Sequence, residues 1–193
     1  MKTQGAIYLH ARTLAMTDDM GLSGVDTLWG CLPMFRANSW GLPWVANMLG
    51  RKQVYAHRFM DPAGLAKLMS DEGVTIAAGV PTIWQGLKAA YEANPAGFDF
   101  SKLGRVTCGG SAPPISLIEW FWKTLGVEMV QGWGMTETSP LATISRRIAK
   151  RADLERSEDE LIANQAKAGQ LMPGLKREIF DDQWKPLPHD GEA

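Results

Sequence analysis

The chain has 193 residues, which is long enough for one domain that buries roughly 70% of the surface exposed by its unfolded form. Its 20 Lys plus Arg residues nearly balance its 21 Asp plus Glu residues, and the net charge of −1 excludes an overall electrostatic field for nucleic acid or an anionic membrane. Partners are therefore expected to be recognised at local sites.

Short apolar runs alternate with helical periodicity from residue 25 onward. The runs "DTLWGCLPMF" and "KQVYAH" predict strands on either side of a helix over residues 39–49. The next segment predicts a helix with Asp61 as its N-cap, Pro62 in its first turn and Gly73 after its end. It is followed by a predicted strand, "VTIAAG", and a predicted helix, "PTIWQGLKAAYEAN".

The same alternation continues to residue 130 and then changes. "GRVTCGG" predicts a strand, and "ISLIEWFWKTLG" predicts an amphipathic helix with a stripe made of Ile115, Ile118, Trp122 and Leu125. This alternation is typical of a parallel sheet covered by helices, so the predicted fold class is α/β. The charged segment "SRRIAKRADLERSEDELIANQ" predicts a solvated helix or loop, and residues 174–193 predict a strand, an Asp-Asp turn and a second strand.

The cysteines and histidines offer no metal site. Cys31 and Cys108 stand in separate apolar runs and predict two buried thiols, which favours a reducing cytoplasm. His10, His57 and His189 lack metal-ligand spacing and are expected to be structural or exposed. No apolar run approaches the roughly 18 residues of a membrane span, and the N-terminus lacks the apolar region of a signal peptide. We therefore expect a soluble cytoplasmic protein with no transmembrane segment.

Two glycine-containing loops follow predicted strands, where open α/β sheets bind their ligands. They are "GGSAPP", residues 109–114, and "GWGMTETSP", residues 132–140. Glycines at such places let the backbone approach a flat or anionic ligand closely. For Gly109 and Gly110 alone, an ordinary tight turn is the competing interpretation.

The second loop carries more chemical information than the first. Its first two glycines match half of a dinucleotide fingerprint, but Glu137 stands at the place of the third glycine, so that interpretation fails. The Thr136 hydroxyl suits a phosphate oxygen, and the Glu137 carboxylate suits a magnesium ion. Trp133 offers a face on which a purine can stack. The loop therefore predicts a nucleotide site.

These residues also carry a resemblance to a known family. "GWGMTETSP" resembles the G-[YWF]-G-[ML]-T-E motif of the adenylate-forming superfamily, and "GGSAPP" resembles its adenine-side loop. "LPMFRANSWGLPW", "AAGVPTIW" and "PLPHDGEA" are similar, in family order, to segments of the fatty acyl-CoA synthetases. The resemblance implies an ATP-dependent fatty acid:CoA ligase that forms an acyl-adenylate and then acyl-CoA, with ATP, Mg²⁺ and coenzyme A.

The resemblance also implies roles for particular residues. The cofactor-binding residues would be Gly109, Gly110, Ser111, Ala112, Pro113, Gly132, Trp133, Gly134, Met135 and Thr136. Thr136 and Glu137 would be catalytic, with Glu137 on magnesium. The residues at the fatty-acid substrate would be Trp40 as the gate of an acyl tunnel, Gly79, Val80 and Thr82 in its wall, and Arg36, which stands where most relatives have histidine. For Trp40 alone, an ordinary core aromatic is the competing interpretation.

The expected organisation follows from the same resemblance. Residues 1–150 would form an α/β subdomain that binds the acyl group and adenine, and residues 151–193 a connector and the beginning of a β-barrel-like subdomain. Most of the upstream phosphate loop and the C-terminal lid domain lack counterparts, so we expect an internal fragment that is inactive alone. A homodimer of the full-length parent stays open. A non-catalytic nucleotide- and acyl-binding remnant and an aryl acid:CoA ligase are the two alternatives.

Overall fold

The computed structural model describes residues 2–17, 19–58 and 60–188. The predicted strand after the Asp-Asp turn therefore extends beyond the described part of the chain, and His189 lies outside it. Before that point Phe180 forms an antiparallel bridge with Pro186, and the Asp181 N–H donates to the Lys185 carbonyl at 3.0 Å. The predicted turn at the two aspartates is thus confirmed.

Seven strands of the described residues form one sheet, in the order β2-β1-β3-β4-β5-β6-β7. The first five strands of that order pair in parallel, whereas β6 and β7 pair antiparallel. The predicted α/β fold with a mostly parallel sheet is confirmed. The strands are β1 (Thr27–Gly30), β2 (Lys52–Val54), β3 (Ile76–Gly79), β4 (Arg105–Cys108), β5 (Glu128–Gly134), β6 (Leu141–Ser145) and β7 (Gln170–Leu171).

Helices cover both faces of the sheet. One face carries the first two helices in chain order, and the other face carries the remaining four. The helices are α1 (Gln4–Leu14), α2 (Leu42–Leu49), α3 (Pro62–Asp71), α4 (Pro81–Ala93), α5 (Ile115–Leu125) and α6 (Glu158–Gln165). Within the described ranges, none of these helices has the length and apolarity needed to cross a membrane.

The buried strands supply apolar side chains to two cores at once. On β4, Val106 packs toward α3 to α6, and the neighbouring Thr107 faces the α1 side. Successive side chains of a strand point to opposite faces, so a strand buried on both faces reads as a continuous apolar run. The larger core is centred on Trp84, which makes edge-on contacts with Trp29 and Phe121 at 6.1 and 6.0 Å between ring centroids.

The two cysteines lie in this larger core as free thiols, as predicted. Burial raises the pKa of the Cys31 thiol to about 11 and that of the Cys108 thiol to about 12. Because the thiolate is the reactive form of cysteine, both side chains act as small apolar groups at neutral pH.

The local signals for α3 are confirmed at both ends. The Asp61 carboxylate accepts a hydrogen bond from the Gly64 N–H at 2.7 Å, which satisfies one of the free donors at the start of the helix. At the other end Gly73 takes a φ of +61°, a conformation that favours glycine.

The predicted apolar stripe of α5 is correct at Ile118 and Leu125 and wrong at its other two positions. In α5 the buried residues are Leu117, Ile118 and Phe121, whereas Ile115 is 53% exposed. Trp122 instead lies beneath the guanidinium of Arg147, 3.9 Å from the ring centroid. A stripe of four residues does not reveal which flank of a helix meets the sheet.

The charged segment after residue 145 is also less solvated than expected. Leu161, Ile162 and Gln165 of α6 are buried, and the Gln165 side-chain amide donates to the Met129 carbonyl of β5 at 2.9 Å. Most charges of this segment lie on its outer surface, although Arg147 and Asp153 are buried, and its few apolar residues dock it against the sheet. Helix α1 is a further element that the pattern did not predict.

Candidate active site

Strands β4 and β5 end side by side, and both predicted loops begin there. Cys108, the last residue of β4, pairs with Gln131 of β5. On the other side, the Gly109 N–H donates to the Gly79 carbonyl at the end of β3, at 3.3 Å. The parallel arrangement thus brings the loop at 109–114 and the loop at 132–140 to one edge of the sheet.

The second loop is held closed by Thr138. The Met135 N–H donates to the Thr138 hydroxyl oxygen at 3.0 Å and to the Pro140 carbonyl at 3.0 Å, and the Thr138 hydroxyl donates to the same carbonyl. A side chain at Gly134 would collide with the Pro140 carbonyl, so the close approach of the two loop ends requires glycine. Thr138 was not among the predicted site residues.

Thr136 and Glu137 lie on the short 3-10 turn Thr136–Thr138, and both are exposed. Neither side chain hydrogen-bonds to another residue in the described part of the chain, so both face solvent with free oxygens. Groups of three or more His, Cys, Asp or Glu residues that could enclose a metal do not occur among the described residues. A single free carboxylate fits Mg²⁺ bound to a nucleotide, because this ion keeps water and phosphate oxygens among its ligands.

One face of this edge combines an aromatic ring with buried polar atoms. Trp133 is 49% exposed, and strand alternation places Gln131 on the same face of β5. Thr143 of β6 lies directly opposite Trp133. The side-chain oxygens of Gln131 and Thr143 are buried and have no hydrogen-bond partner within the described residues. Buried polar atoms are normally paired, so these two point to a ligand with polar edges.

Gln131 and Thr143 were missed at the level of sequence. Gln131 stands two residues before Trp133, and the two-residue period of a strand was the available signal for their shared face. Thr143 had no such signal, because its position opposite Trp133 depends on the antiparallel pairing of β6.

The other face of the edge opens into an apolar cavity of about 90 Å³. Trp40 lies at this cavity, and a side chain at Gly109 would come within 2.7 Å of its indole ring. Val80 lies beside Gly110, because a side chain added to that glycine would come within 3.4 Å of a Val80 methyl group. Gly132 and Gly134 also line the cavity. The structure thus brings together predicted residues from four separate segments.

The remaining predicted residues fall into two groups. Gly79 is buried behind this edge against Trp84, and Pro113 is buried in the first loop, whose Ser111 and Ala112 are exposed. Arg36 and Thr82 are exposed and do not line the cavity. The structure therefore does not bring Arg36 and Thr82 to the apolar cavity.

Trp40 reaches the cavity through an unusual backbone. Residues 37–40 all have φ near +50°, and they precede Gly41 at +78°. Left-handed conformation costs a residue with a side chain roughly 1–2 kcal/mol, so packing must hold this turn in place. One such contact is the buried His10 of α1, because a side chain at Gly41 would come within 2.5 Å of its imidazole.

Comparisons with known proteins agree on the family of the chain. A family model described as AMP-binding enzyme matches residues 1–193. The medium-chain-fatty-acid–CoA ligase of Ectopseudomonas oleovorans is 43% identical over 185 residues, or 96% of this chain. The long-chain-fatty-acid–CoA ligase of Thermus thermophilus is 39% identical over 188 residues, or 97% of this chain. The matched regions cover 33% and 34% of those two proteins, so the chain spans about a third of their length.

A solved structure confirms the fold. The crystal structure of a long-chain-fatty-acid–CoA ligase from Archaeoglobus fulgidus superposes with a TM-score of 0.77 at 24% identity. The match covers 94% of this chain and 35% of that protein.

Proposed function

The chain belongs to the AMP-binding enzyme family, and from this membership we propose that it forms part of an ATP-dependent fatty acid:CoA ligase. In this proposal the enzyme forms an acyl-adenylate from ATP and a fatty acid with release of pyrophosphate. It then transfers the acyl group to the thiol of coenzyme A with release of AMP. The observation that supports it most is the arrangement of the sheet edge. An aromatic face with free polar atoms lies on one side, an apolar cavity lies on the other, and a free hydroxyl and a free carboxylate follow on the loop.

We assign the aromatic side to adenine. The base would lie between the loop at 109–114 and the Trp133 ring, a stacking contact worth roughly 1–3 kcal/mol. The Gln131 side-chain oxygen would accept a hydrogen bond from the amino group of adenine, which removes the cost of leaving that oxygen unpaired. The exposed Ser111 hydroxyl is available to the ribose or the base.

We assign Thr136 and Glu137 to the reacting phosphate. Mg²⁺, when bound, neutralises phosphate charge so that the carboxylate of the fatty acid can attack the α-phosphorus of ATP. Glu137 would hold the ion, and the Thr136 hydroxyl would donate to a phosphate oxygen. Met135 and Gly134 keep this turn in position through their contacts with Pro140. Alignment and charge stabilisation, rather than a general acid or base, are the contributions we propose for these residues.

We assign the apolar cavity to the acyl chain, with Trp40 and Val80 at its opening. Arg36 and Thr82 remain predictions as substrate residues, as does the division of the chain at residue 150. A cytoplasmic location is favoured by the two buried free thiols. A homodimer of the complete ligase also remains a prediction.

The role of Glu137 is tested by Glu137→Gln in the product of the complete gene. Because the amide is a poor magnesium ligand, adenylate formation should fall at least tenfold, which corresponds to ~1.4 kcal/mol. The assay is ATP–pyrophosphate exchange across a magnesium titration. Glu155→Gln is the matched control, since Glu155 is exposed on the distant turn Arg151–Glu155.

Two outcomes would contradict this proposal. An unchanged magnesium profile for Glu137→Gln would remove Glu137 from the metal site. Nucleotide binding by the wild type without any exchange would favour a non-catalytic binding module instead.

A further inference from the structure

The apolar cavity has an open end and a closed end. At the open end, Gly110 and Gly134 are exposed and Trp40 is half-buried. The closed end lies deeper under the sheet and is formed by residues no more than 4% exposed, which are Leu14, Met20, Ala78 and Thr107. A chain that enters beside the two glycines therefore extends toward Met20.

Met20 is fixed at this closed end by contacts with its side chain and its backbone. The Thr107 hydroxyl of β4 donates to the Met20 sulfur at 3.2 Å. The Arg105 guanidinium donates to the Met20 carbonyl, and Arg146 donates to the preceding Asp19 carbonyl at 2.6 Å. The backbone carbonyls of Asp19 and Met20 are thus bonded to arginines in or next to strands of the sheet, and the Met20 side chain lines the cavity.

The two arginines are themselves held by one carboxylate. Glu128 accepts from Arg105 at 3.1 Å and from Arg146 at 2.9 Å. Burial alone would raise the pKa of Glu128, but the hydrogen bond and charge of Arg146, together with the Arg147 N–H and the Arg105 charge, bring it below its ordinary value. The carboxylate therefore stays ionised, and the network that positions Met20 persists at neutral pH.

We propose that the Met20 side chain is the end wall of the acyl cavity and sets the upper limit on acyl length, an inference that rests on the proposed ligase function. A cavity of about 150 Å³ accepts benzene, so the present volume of about 90 Å³ has room for on the order of four carbon atoms. Removing the three side-chain atoms of Met20 beyond Cβ would extend this space by about three carbons.

Binding of saturated fatty acids from butanoate to dodecanoate to the 193-residue chain tests this inference by titration calorimetry. Affinity should rise about fourfold for each methylene that enters the cavity and then stop rising at a limiting length. In Met20→Ala the limit should move to acids about three carbons longer, whose affinity should exceed that of the wild type by on the order of fiftyfold. In Met20→Leu, whose side chain reaches one atom less far, the limit should move by about one carbon.

Met69→Ala is the matched control. Met69 is 2% exposed, lies in the core on the opposite face of the sheet and does not line the cavity. Its substitution removes the same atoms from a buried site and should leave the limiting length unchanged. A shift in Met20→Ala that is absent in Met69→Ala therefore comes from the cavity and not from general loss of stability.

Three results would overturn the role of Met20. The first is an unchanged limiting acyl length in a folded Met20→Ala variant. The second, if that variant does not fold, is an unchanged limiting acyl length in Met20→Leu. The third is that the wild type binds none of the fatty acids from butanoate to dodecanoate. Pyrophosphate exchange by the complete gene product separates this inference from the ligase proposal. If exchange is normal but Met20→Ala leaves the limiting acyl length unchanged, only the role of Met20 is refuted. If Met20→Ala shifts the limiting length but no acid supports exchange, only the ligase proposal is refuted.

Discussion

At the scale of the residue, His10 shows how packing around the site constrains a titratable group. It is 7% exposed, its Nε2 has no partner within the described residues, and its ring lies against Gly41, next to Trp40. Burial, together with the nearby charge of Lys2, lowers the pKa of His10 to about 4. The neutral imidazole is therefore the form that this turn accommodates.

This lowered pKa predicts that the fold loses stability in acid. The unfolded chain takes up the proton near pH 6.5 and the folded chain only near pH 4, so the unfolded state binds more protons between these values. The free energy of unfolding should be at its full value above pH 6.5 and should fall by about 3 kcal/mol toward pH 4. Denaturant unfolding at several pH values measures this change.

His10→Gln should flatten the curve between pH 6.5 and 4.5. Below pH 4.5 Glu128 adds a loss of its own, because its lowered pKa stabilises the fold only while the carboxylate is ionised. A wild-type curve that is flat above pH 4.5 would contradict the assignment to His10.

At the scale of the element, the loop between β5 and β6 places Thr136 and Glu137 on a turn that is closed from within. The Thr138 hydroxyl satisfies the Met135 N–H and reaches the Pro140 carbonyl. Neither contact involves the helices, so the turn keeps its shape through its own residues. The exposed side chains of Thr136 and Glu137 are therefore held in a fixed position at the sheet edge.

Thr138→Val is predicted to release this turn, because valine has the same shape but cannot hydrogen-bond. Losing one or two such bonds costs roughly 1–2 kcal/mol of stability. A displacement of the reacting groups by about 1 Å should lower pyrophosphate exchange by the complete gene product on the order of a hundredfold. Thr124→Val, on the exposed side of α5, is the control. If exchange is unchanged while the melting temperature drops, Thr138 serves stability alone.

At the scale of the whole molecule, the sheet separates the two proposed ligands. Trp133 and Gln131 face the α5 side, whereas Gly132 and the apolar cavity face the α1 side. Adenine and the acyl chain would therefore approach the edge from opposite faces and meet where Thr136 and Glu137 lie.

We predict that the polypeptide of these 193 residues makes no acyl-CoA by itself. Thr136 and Glu137 are exposed to water in it, and electrostatic stabilisation is strong only where water is excluded. The related ligases are about three times as long, which leaves room for segments that close such a site. ATP-dependent thioester formation over hours is the assay, with butanoate, which fits the cavity, as well as octanoate and palmitate. Turnover that persists after removal of contaminating ligase would contradict this prediction.

From the sequence alone, the alternation of strands and helices between residues 25 and 130 and the two loops at the sheet edge could be predicted. Those features depend on local signals, such as the Asp61 cap, the apolar strands and the glycines around Trp133, which act over a few residues. The sequence also indicated the family, because its motifs resemble those of the adenylate-forming superfamily.

Tertiary structure alone decided which distant residues meet. The buried face of α5, the docking of α6, the pairing of Thr143 with Trp133 and the insertion of Met20 beneath Thr107 depend on contacts between segments far apart along the chain. Such contacts are set by how whole layers pack, because a strand or helix offers two flanks and only its neighbours select one. Among the residues that patterning missed, Thr143 and Met20 belong to this class.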